Sequence, residues 1–192
     1  QLLEESYTEI SGKTDFLRAE DRIEKTELKG PLYYSLARYC HNAGDLSEAI
    51  KYYDKSLTNF DADEIDDLNY TQKAHYNLSS IYLWSIKDYA KAQQHASIAL
   101  TQSKEIENSF WIRMCKRMKI FTLNEMPNKE NHVEALELAK ELVDSSKAIG
   151  KYDSDLFSNI NLYAQTLLQS KNYTEAEKII DELIELTSTK WV

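Results

Sequence analysis

The sequence predicts an all-α protein built as an array of antiparallel helix pairs. Apolar residues recur at spacings of three and four along most of the 192 residues, which is the period of an amphipathic helix. Helix breakers are rare, since the chain contains four glycines and two prolines, and this argues against a turn-rich β fold. A short motif also recurs at a nearly constant interval, which is typical of repeat proteins.

The breakers divide the chain into helices. Gly30-Pro31 ends one helix and begins the next, Gly44 and Gly150 follow periodic runs, and Pro127 lies in a turn. An N-terminal helical segment, residues 1–29, is expected to hold helices over 1–12 and 14–28. The array follows over residues 30–192, with pairs expected at 31–43 with 46–59, 66–85 with 88–105, 109–124 with 131–148, and 153–170 with 173–188.

The recurring motif is an Asp or Asn with an alanine four residues later. It occurs at Asp45-Leu-Ser-Glu48-Ala49, Asp88-Tyr-Ala-Lys91-Ala92, Asn131-His-Val-Glu134-Ala135 and Asn172-Tyr-Thr-Glu175-Ala176, with the alanines 43, 43 and 41 residues apart. Asp and Asn are typical helix N-caps, and a Glu three residues later, present in three copies, predicts a capping box. We expect the alanine to let the second helix of a pair approach the first closely. The residues expected opposite it, twelve positions earlier, are Ala37, Ser80, Leu123 and Ala164.

These residues resemble a known repeat family. The run Leu36-Ala37, Cys40, Gly44-Asp45-Leu46, Ala49 and Tyr53 is similar to the tetratricopeptide repeat. Further copies are Leu78-Ser79, Tyr82, Asp88-Tyr89 and Ala92, with one extra residue in the turn, and Tyr163-Ala164, Leu167, Asn172-Tyr173 and Ala176. The pair near 108–148 matches only in its second helix. The resemblance covers residues 30–188 and implies a right-handed superhelical array, a tetratricopeptide-like solenoid.

The long repeats point to a narrower resemblance. Expected helices of about 15–20 residues and the spacing of 41–43 residues are similar to the arrays of bacterial peptide-pheromone-responsive regulators, the Rap, Rgg, NprR, PlcR and PrgX group. In the transcription-factor members of that group, a helix-turn-helix domain precedes the array. A chain that starts at Gln1 rather than Met is consistent with such an upstream domain, through which alone we would expect contact with DNA.

Composition argues against catalysis and against direct binding to nucleic acid or membranes. The net charge of −9 gives no overall electrostatic attraction to phosphate-rich partners. Cys40 and Cys115 are too few for a disulfide framework or zinc site, which indicates a reducing, cytoplasmic location. The four histidines lack metal-ligand spacing, and phosphate-binding and nucleophile motifs are absent. We therefore expect no enzyme activity, no cofactor and no membrane span.

The candidate binding residues lie on the first helix of each pair, which lines the concave surface of a helix-pair solenoid. Helical geometry places there Tyr34, Arg38 and His41 in the first pair, Tyr76, Ser80 and Trp84 in the second, and Asn161, Gln165 and Gln169 in the fourth. If the extra residue of the second pair lies outside the turn, Asn77 and Trp84 are the inward-facing residues of that pair instead. In the third pair Arg113, Lys116 and Arg117 form a basic cluster whose inward-facing member stays open. Each residue alone is better explained as an ordinary solvated side chain, but the set favours a groove for an extended peptide.

The residue types suit recognition of a peptide backbone. An Asn amide offers a donor and an acceptor, as a peptide unit does, so Asn161 or Asn77 can clamp a backbone of any sequence. The basic cluster can hold a carboxylate, and the aromatic residues can take apolar side chains. We therefore expect an intracellular domain of a transcription regulator that binds a short signalling peptide or protein segment. The alternative is a general protein–protein interaction scaffold without a small ligand.

The last helix predicts a second contact surface. Its wide apolar face is formed by Ile179, Ile180, Leu183, Ile184 and Leu186, and Trp191 follows. Two outcomes are open: the preceding helix and the tail bury this face, or the C-terminal helix pair forms a homodimer through it.

Overall fold

The computed structural model describes residues 13–60, 65–126 and 128–190. Within these ranges the chain is helical and contains no strand. The helices are α1 (Lys13–Ile23), α2 (Lys29–Ala43), α3 (Leu46–Leu57), α4 (Ile65–Ser80), α5 (Tyr89–Glu105), α6 (Ser109–Asn124), α7 (Lys129–Ile149), α8 (Ser154–Gln169) and α9 (Tyr173–Lys190), and a π-helix, Ile81–Ile86, continues α4. The fold class predicted from the sequence is confirmed, whereas the helix expected over 1–12, Pro127 and Trp191 lie outside the described residues.

The helices form four consecutive pairs. The first pair is α2 with α3, the second is α4 and the π-helix with α5, the third is α6 with α7, and the fourth is α8 with α9. The chain divides into two compact units, one ending at Ala74 and the other beginning at His75. In the first unit α1 ends at Ile23, earlier than the expected residue 28, and Glu20 joins it to α3 through Lys51 and Lys55. The expected segment boundary at residues 29/30 stays a prediction.

Short polar residues cap the second helices, but the predicted capping box is wrong. The Asp45 carboxylate accepts from the backbone N–H of Glu48 at 3.2 Å, as expected of an N-cap. The backbone N–H of Asp45 cannot receive Glu48 in return, because it donates to the carbonyl oxygen of Cys40 at 2.9 Å in the preceding helix. Glu48 accepts from Lys51 instead. Asp45 therefore serves both helices, since its backbone N–H bonds to the end of α2 and its side chain caps the start of α3.

The third pair departs from the predicted cap in a different way. Helix α7 begins at Lys129, and Asn128 is its N-cap, accepting from the backbone N–H of Asn131 at 2.8 Å. Asn131 was predicted to cap this helix but lies within its first turn, where its amide donates to the carbonyl oxygen of Met126 at 2.7 Å. The longer turn of this pair explains why its first helix lacked a clear register in the sequence.

The recurring alanines pack between helices, as the sequence predicts. All four are fully buried, namely Ala49, Ala92, Ala135 and Ala176. A contact between the two helices recurs beside the anchor in three pairs. Tyr33 stacks on Tyr52 with ring centroids 6.1 Å apart, His75 meets His95, and Ile160 lies in the cluster against which Ile179 packs. The same position in the hairpin is therefore filled by aromatic, imidazole or aliphatic pairs.

The extra residue of the second pair lies in the helix and not in the turn, which corrects the prediction. The turn holds one left-handed residue, Lys87 at φ 64°, followed by the cap Asp88, just as Gly44 at φ 82° precedes Asp45. A π-helix accommodates an additional residue by widening one turn. As a result Ser79, and not the predicted Ser80, lies against the second helix, where its hydroxyl donates to the carbonyl oxygen of Ala92 at 2.8 Å.

Candidate functional site: the leading-helix surface

In the second unit, residues 75–86 of the second pair contact the first helix of the third pair, and that helix contacts the first helix of the fourth. Tyr76 of α4 meets Trp111 of α6 at 5.5 Å between ring centroids, and Trp84 of the π-helix meets Phe121 of α6 at 5.4 Å. The Asn124 amide of α6 donates to the Thr166 hydroxyl of α8 at 3.1 Å. Residues 75–86, α6 and α8 expose side chains to solvent, and we call this exposed surface the leading-helix surface.

The predicted residues of the second pair differ in what they offer to a ligand. Tyr76 is partly buried, and burial raises the pKa of its hydroxyl. Asn77 and Ser80 are partly buried, so neither predicted register is excluded by exposure. Trp84 is 48% exposed and presents the largest accessible apolar side chain of this group.

The basic cluster of α6 splits into two directions, which answers the question the sequence left open. Arg117 turns towards α8, where its guanidinium donates to the Asn159 amide oxygen at 2.7 Å and to the carbonyl and carboxylate oxygens of Asp155, each at 3.2 Å. Arg113 faces the same Asp155 carboxylate at 3.8 Å. Lys116 points instead to Glu141 of α7 at 2.8 Å and lowers the pKa of that carboxyl. Arg117 is thus occupied in joining two repeats. Arg113 also donates to the Ser109 carbonyl oxygen of its own helix at 3.3 Å, but its side chain is the more exposed of the two.

Helix α8 contributes an exposed polar stripe. Asn161, Gln165 and Gln169 are all exposed at helical spacing. Leu168, which the sequence analysis did not select, lies in the same stripe and is 43% exposed. The fourth pair therefore offers amides with one apolar side chain between them.

The predicted residues of the first pair belong to the first unit. Tyr34 is 7% exposed and packs between Tyr53 and Tyr70, at 5.9 and 5.5 Å between ring centroids, so its role there is packing. Arg38 is exposed one turn further along α2. His41 meets the edge of Tyr53 at 6.3 Å, and burial lowers the pKa of its imidazole.

The structure holds a shallow cavity away from the leading-helix surface. It has a volume of about 230 Å³ and lies beside the turn between α7 and α8, where Tyr152, Leu156, Lys147 and Glu182 line it. No sequence pattern signalled it, because its walls come from residues far apart in the chain.

The remaining chemistry is that of a packed core. Both cysteines are buried, and burial raises the pKa of the Cys40 thiol to about 12, which leaves it unreactive. Among the described residues no group of three or more His, Cys, Asp or Glu side chains is placed to hold a metal ion. None of the described helices has the length and apolar content needed to cross a bilayer.

The C-terminal helix buries only part of its apolar face. Ile179, Leu183 and Leu186 pack on a core cluster that α8 helps to form. Ile184 is 59% exposed and Ile180 is 36% exposed, so the face expected for dimerisation is partly open. The homodimer stays a prediction.

Comparison with known proteins agrees with this architecture. Residues 30–59 and 158–190 match the model of the tetratricopeptide repeat, so the first and fourth pairs are repeats of this type. A search of characterised proteins found no significant match to the sequence. Tetratricopeptide repeats are typically interaction scaffolds, and the two matched segments are of that repeat type.

Solved structures of similar fold come from Podosopora anserina. They contain the nearly identical TPR-like repeats of a protein described as a kinesin light chain. One, a point variant, superimposes with a TM-score of 0.73 at 10% sequence identity and covers 93% of this chain and 88% of that chain. The other has a TM-score of 0.72 at 11% identity, with the same coverage. At this identity the likeness shows the fold alone.

Proposed function

We propose that the second unit binds an extended peptide segment of a partner on its leading-helix surface. The observation that carries this proposal is the combination of exposed Trp84, the exposed amides of Asn161 and Gln165, and Arg113 on helices that contact one another. An extended peptide loses about 1–2 kcal/mol of backbone freedom per residue on binding. Amides that satisfy both peptide N–H and C=O offset this cost without depending on the sequence of the peptide.

The finer form of the proposal is a peptide-sensing domain of a transcription regulator. It is supported by the helix lengths and by the repeat spacing of 41–43 residues, which resemble those of the peptide-pheromone-responsive group. A protein-interaction scaffold without a signalling peptide is the alternative, favoured by the open, solvent-exposed placement of Trp84, Asn161 and Gln165. The full reading frame separates them, because a DNA-binding sequence upstream of Gln1 favours the regulator, and a secretion signal or membrane anchor there favours the scaffold.

A displayed library of random linear peptides tests the binding itself. Peptides enriched by the wild-type chain are synthesised and titrated calorimetrically against Asn161→Ala and Gln165→Ala. We expect each variant to weaken binding about 3–10-fold, as loss of a hydrogen bond predicts. Gln94→Ala, an exposed amide on the second helix of a pair, is the matched control and leaves the affinity unchanged. Failure to enrich any peptide, or equal affinity for all variants, contradicts the proposal.

A further inference from the structure

The π-helix directs two large apolar side chains into solvent. Trp84 is 48% exposed and Ile86 is 46% exposed, whereas Ile81 and Leu83 of the same six residues are buried. Single π turns within α-helices are frequently found at functional sites, because the widened turn costs stability. Here the widened turn lets Leu83 fill the core while Trp84 remains on the surface.

The exposed indole is held in place before any partner arrives. The ring of Trp84 meets the ring of Phe121 at 5.4 Å with an interplanar angle of 65°. Phe121 in turn packs on the buried cluster that contains Leu83 and Met118. A preorganised aromatic side chain loses little conformational entropy on binding, which is why Trp dominates interaction hot spots.

One uncompensated positive charge lies beside the indole. The Lys87 ammonium lies 5.9 Å from the centre of the Trp84 ring. In the ranges that the structure describes, Lys87 forms no ion pair, and the neighbouring Asp88 is engaged with Lys91 at 3.5 Å. In a chain with a net charge of −9, a cation left without a carboxylate next to an exposed indole is well placed to receive an acidic group.

We propose that Trp84, Ile86 and Lys87 form an anchor for a partner segment that carries a large apolar side chain with an Asp or Glu beside it. The apolar side chain packs on Trp84 and Ile86, and the carboxylate pairs with Lys87. This anchor rests on the proposed function and names the chemistry of the partner. A second copy of the chain fits less well, since a twofold contact of this patch with itself places two Lys87 side chains together.

The library selection also tests the anchor. The readouts are the sequences of the enriched peptides and the effect of reversing the charge at Lys87. We expect enriched peptides to contain an apolar residue next to Asp or Glu, and Trp84→Ala to weaken their binding roughly 10–30-fold. Lys87→Glu weakens the same peptides, and a peptide whose acidic residue is replaced by Lys regains binding to this variant. Ile86→Ser provides a second, smaller truncation should Trp84→Ala fold poorly. Tyr173→Ala removes an aromatic side chain that is 62% exposed on α9, the second helix of the fourth pair, and leaves affinity unchanged.

The outcomes distinguish failure of the anchor from failure of the proposed function. Peptides that lose affinity for Asn161→Ala but bind Trp84→Ala, Ile86→Ser and Lys87→Glu like the wild type overturn the anchor and leave the proposed function standing. A selection that enriches no peptide overturns both. Sedimentation that shows a dimer dissociated by Trp84→Ala assigns the patch to a second copy and overturns the partner proposed here.

Discussion

The second and fourth helix pairs share a motif and a turn but differ by one residue. Ala164 precedes the buried Ala176 by twelve residues, whereas Ser79 precedes the buried Ala92 by thirteen. Each turn contains one left-handed lysine, Lys87 or Lys171, at φ 64° and 59°. The helix of the second pair absorbs the added residue as a π turn, and the packing of the second helix is preserved. The register of a hairpin is thus set by its turn and its anchor, not by the length of its first helix.

The same two pairs differ in what they bury beside the anchor. The position occupied by Ile160 and Ile179 in the fourth pair holds His75 and His95 in the second, with their Nδ1 atoms 2.8 Å apart. Tyr82 stacks on His95 at 5.6 Å. A hydrogen bond between two Nδ1 atoms needs one N–H donor and one unprotonated acceptor, so this contact depends on pH and the aliphatic one does not.

Deleting one residue has opposite consequences in the two pairs. Deletion of Ser85 gives the second pair the spacing of the fourth, and we expect its π-helix to become regular with a change in unfolding free energy below about 1 kcal/mol. Deletion of Leu168 leaves the fourth pair one residue short. Each residue turns a helix by roughly 100°, so the turn then points α9 away from α8, and a loss above about 3 kcal/mol follows. Urea denaturation measures both, and equal losses would contradict the view that the extra residue is dispensable for packing.

Acidification weakens the second pair more than the fourth. Burial lowers the pKa of both imidazoles, that of His75 to about 4; the neighbouring His95 adds to the shift of His75 and Lys91 to that of His95. In the unfolded chain the pKa is about 6.5, so unfolded protein takes up protons between pH 6.5 and 4 that the folded pair refuses. Stability is therefore complete above about pH 6.5 and falls as the pH drops to about 4, by roughly 2–3 kcal/mol.

Lys91 on α5 and Tyr82 on the π-helix act beside the histidines, while α6 presents Met118 and Trp111 to the hairpin. The double variant His75→Ile/His95→Ile copies the fourth pair. Urea midpoints at pH 7.5 and pH 5 are expected to differ less in this variant than in the wild type, and an equal difference would remove the pair as the cause.

Enlarging the anchor alanine tests close packing in both pairs. Ala92→Leu and Ala176→Leu force a larger side chain between two helices, and we expect each to lose about 1–3 kcal/mol of unfolding free energy. Ala135→Leu extends the test to the third pair. Ala90→Leu, an exposed site on the same helix as Ala92, serves as the control and changes stability by less than about 0.5 kcal/mol. Thermal melts of the anchor variants that match the parent would show that these alanines are not packed between helices.

The left-handed turn residues give the smallest effect. Lys171→Gly removes the steric cost of a positive φ, and we expect a gain of roughly 0.5–1 kcal/mol. The reverse change, Gly44→Ala, loses a similar amount for conformational reasons alone, since nothing lies within 4 Å of the added methyl. Chemical denaturation of the two variants is informative only as a pair, and a shift of the same sign in both would contradict the explanation.

Much of the fold follows from local signals. The spacing of the alanines predicted their complete burial, and Asp45 and Asp88 were recognisable as caps because capping involves residues only three apart. The reciprocal half of the capping box was wrong for Glu48, because its partner N–H is consumed by the preceding helix. That competition depends on how two helices meet, which a motif in one helix does not contain.

The sequence predicted many of the exposed residues of the candidate site but not the directions in which its charged side chains point. Trp84, Asn161 and Gln165 were found by helical spacing and are exposed. The sequence did not reveal that Arg117 and Lys116 point in different directions. The two are adjacent in sequence, but Arg117 pairs with a carboxylate on α8 and Lys116 with one on α7. Ile86 was missed because its exposure follows from the π turn.

The sequence by itself determined the helical class, the positions of the hairpins and the small residues that bring their helices together, because these depend on periodicity and on contacts within one hairpin. Tertiary structure alone decided where the added residue of the second pair is stored, which cations join neighbouring repeats, and which apolar side chains stay in solvent. Those outcomes depend on which groups of different helices pack or pair with one another. Such partners come close only on folding, so the local sequence does not identify them.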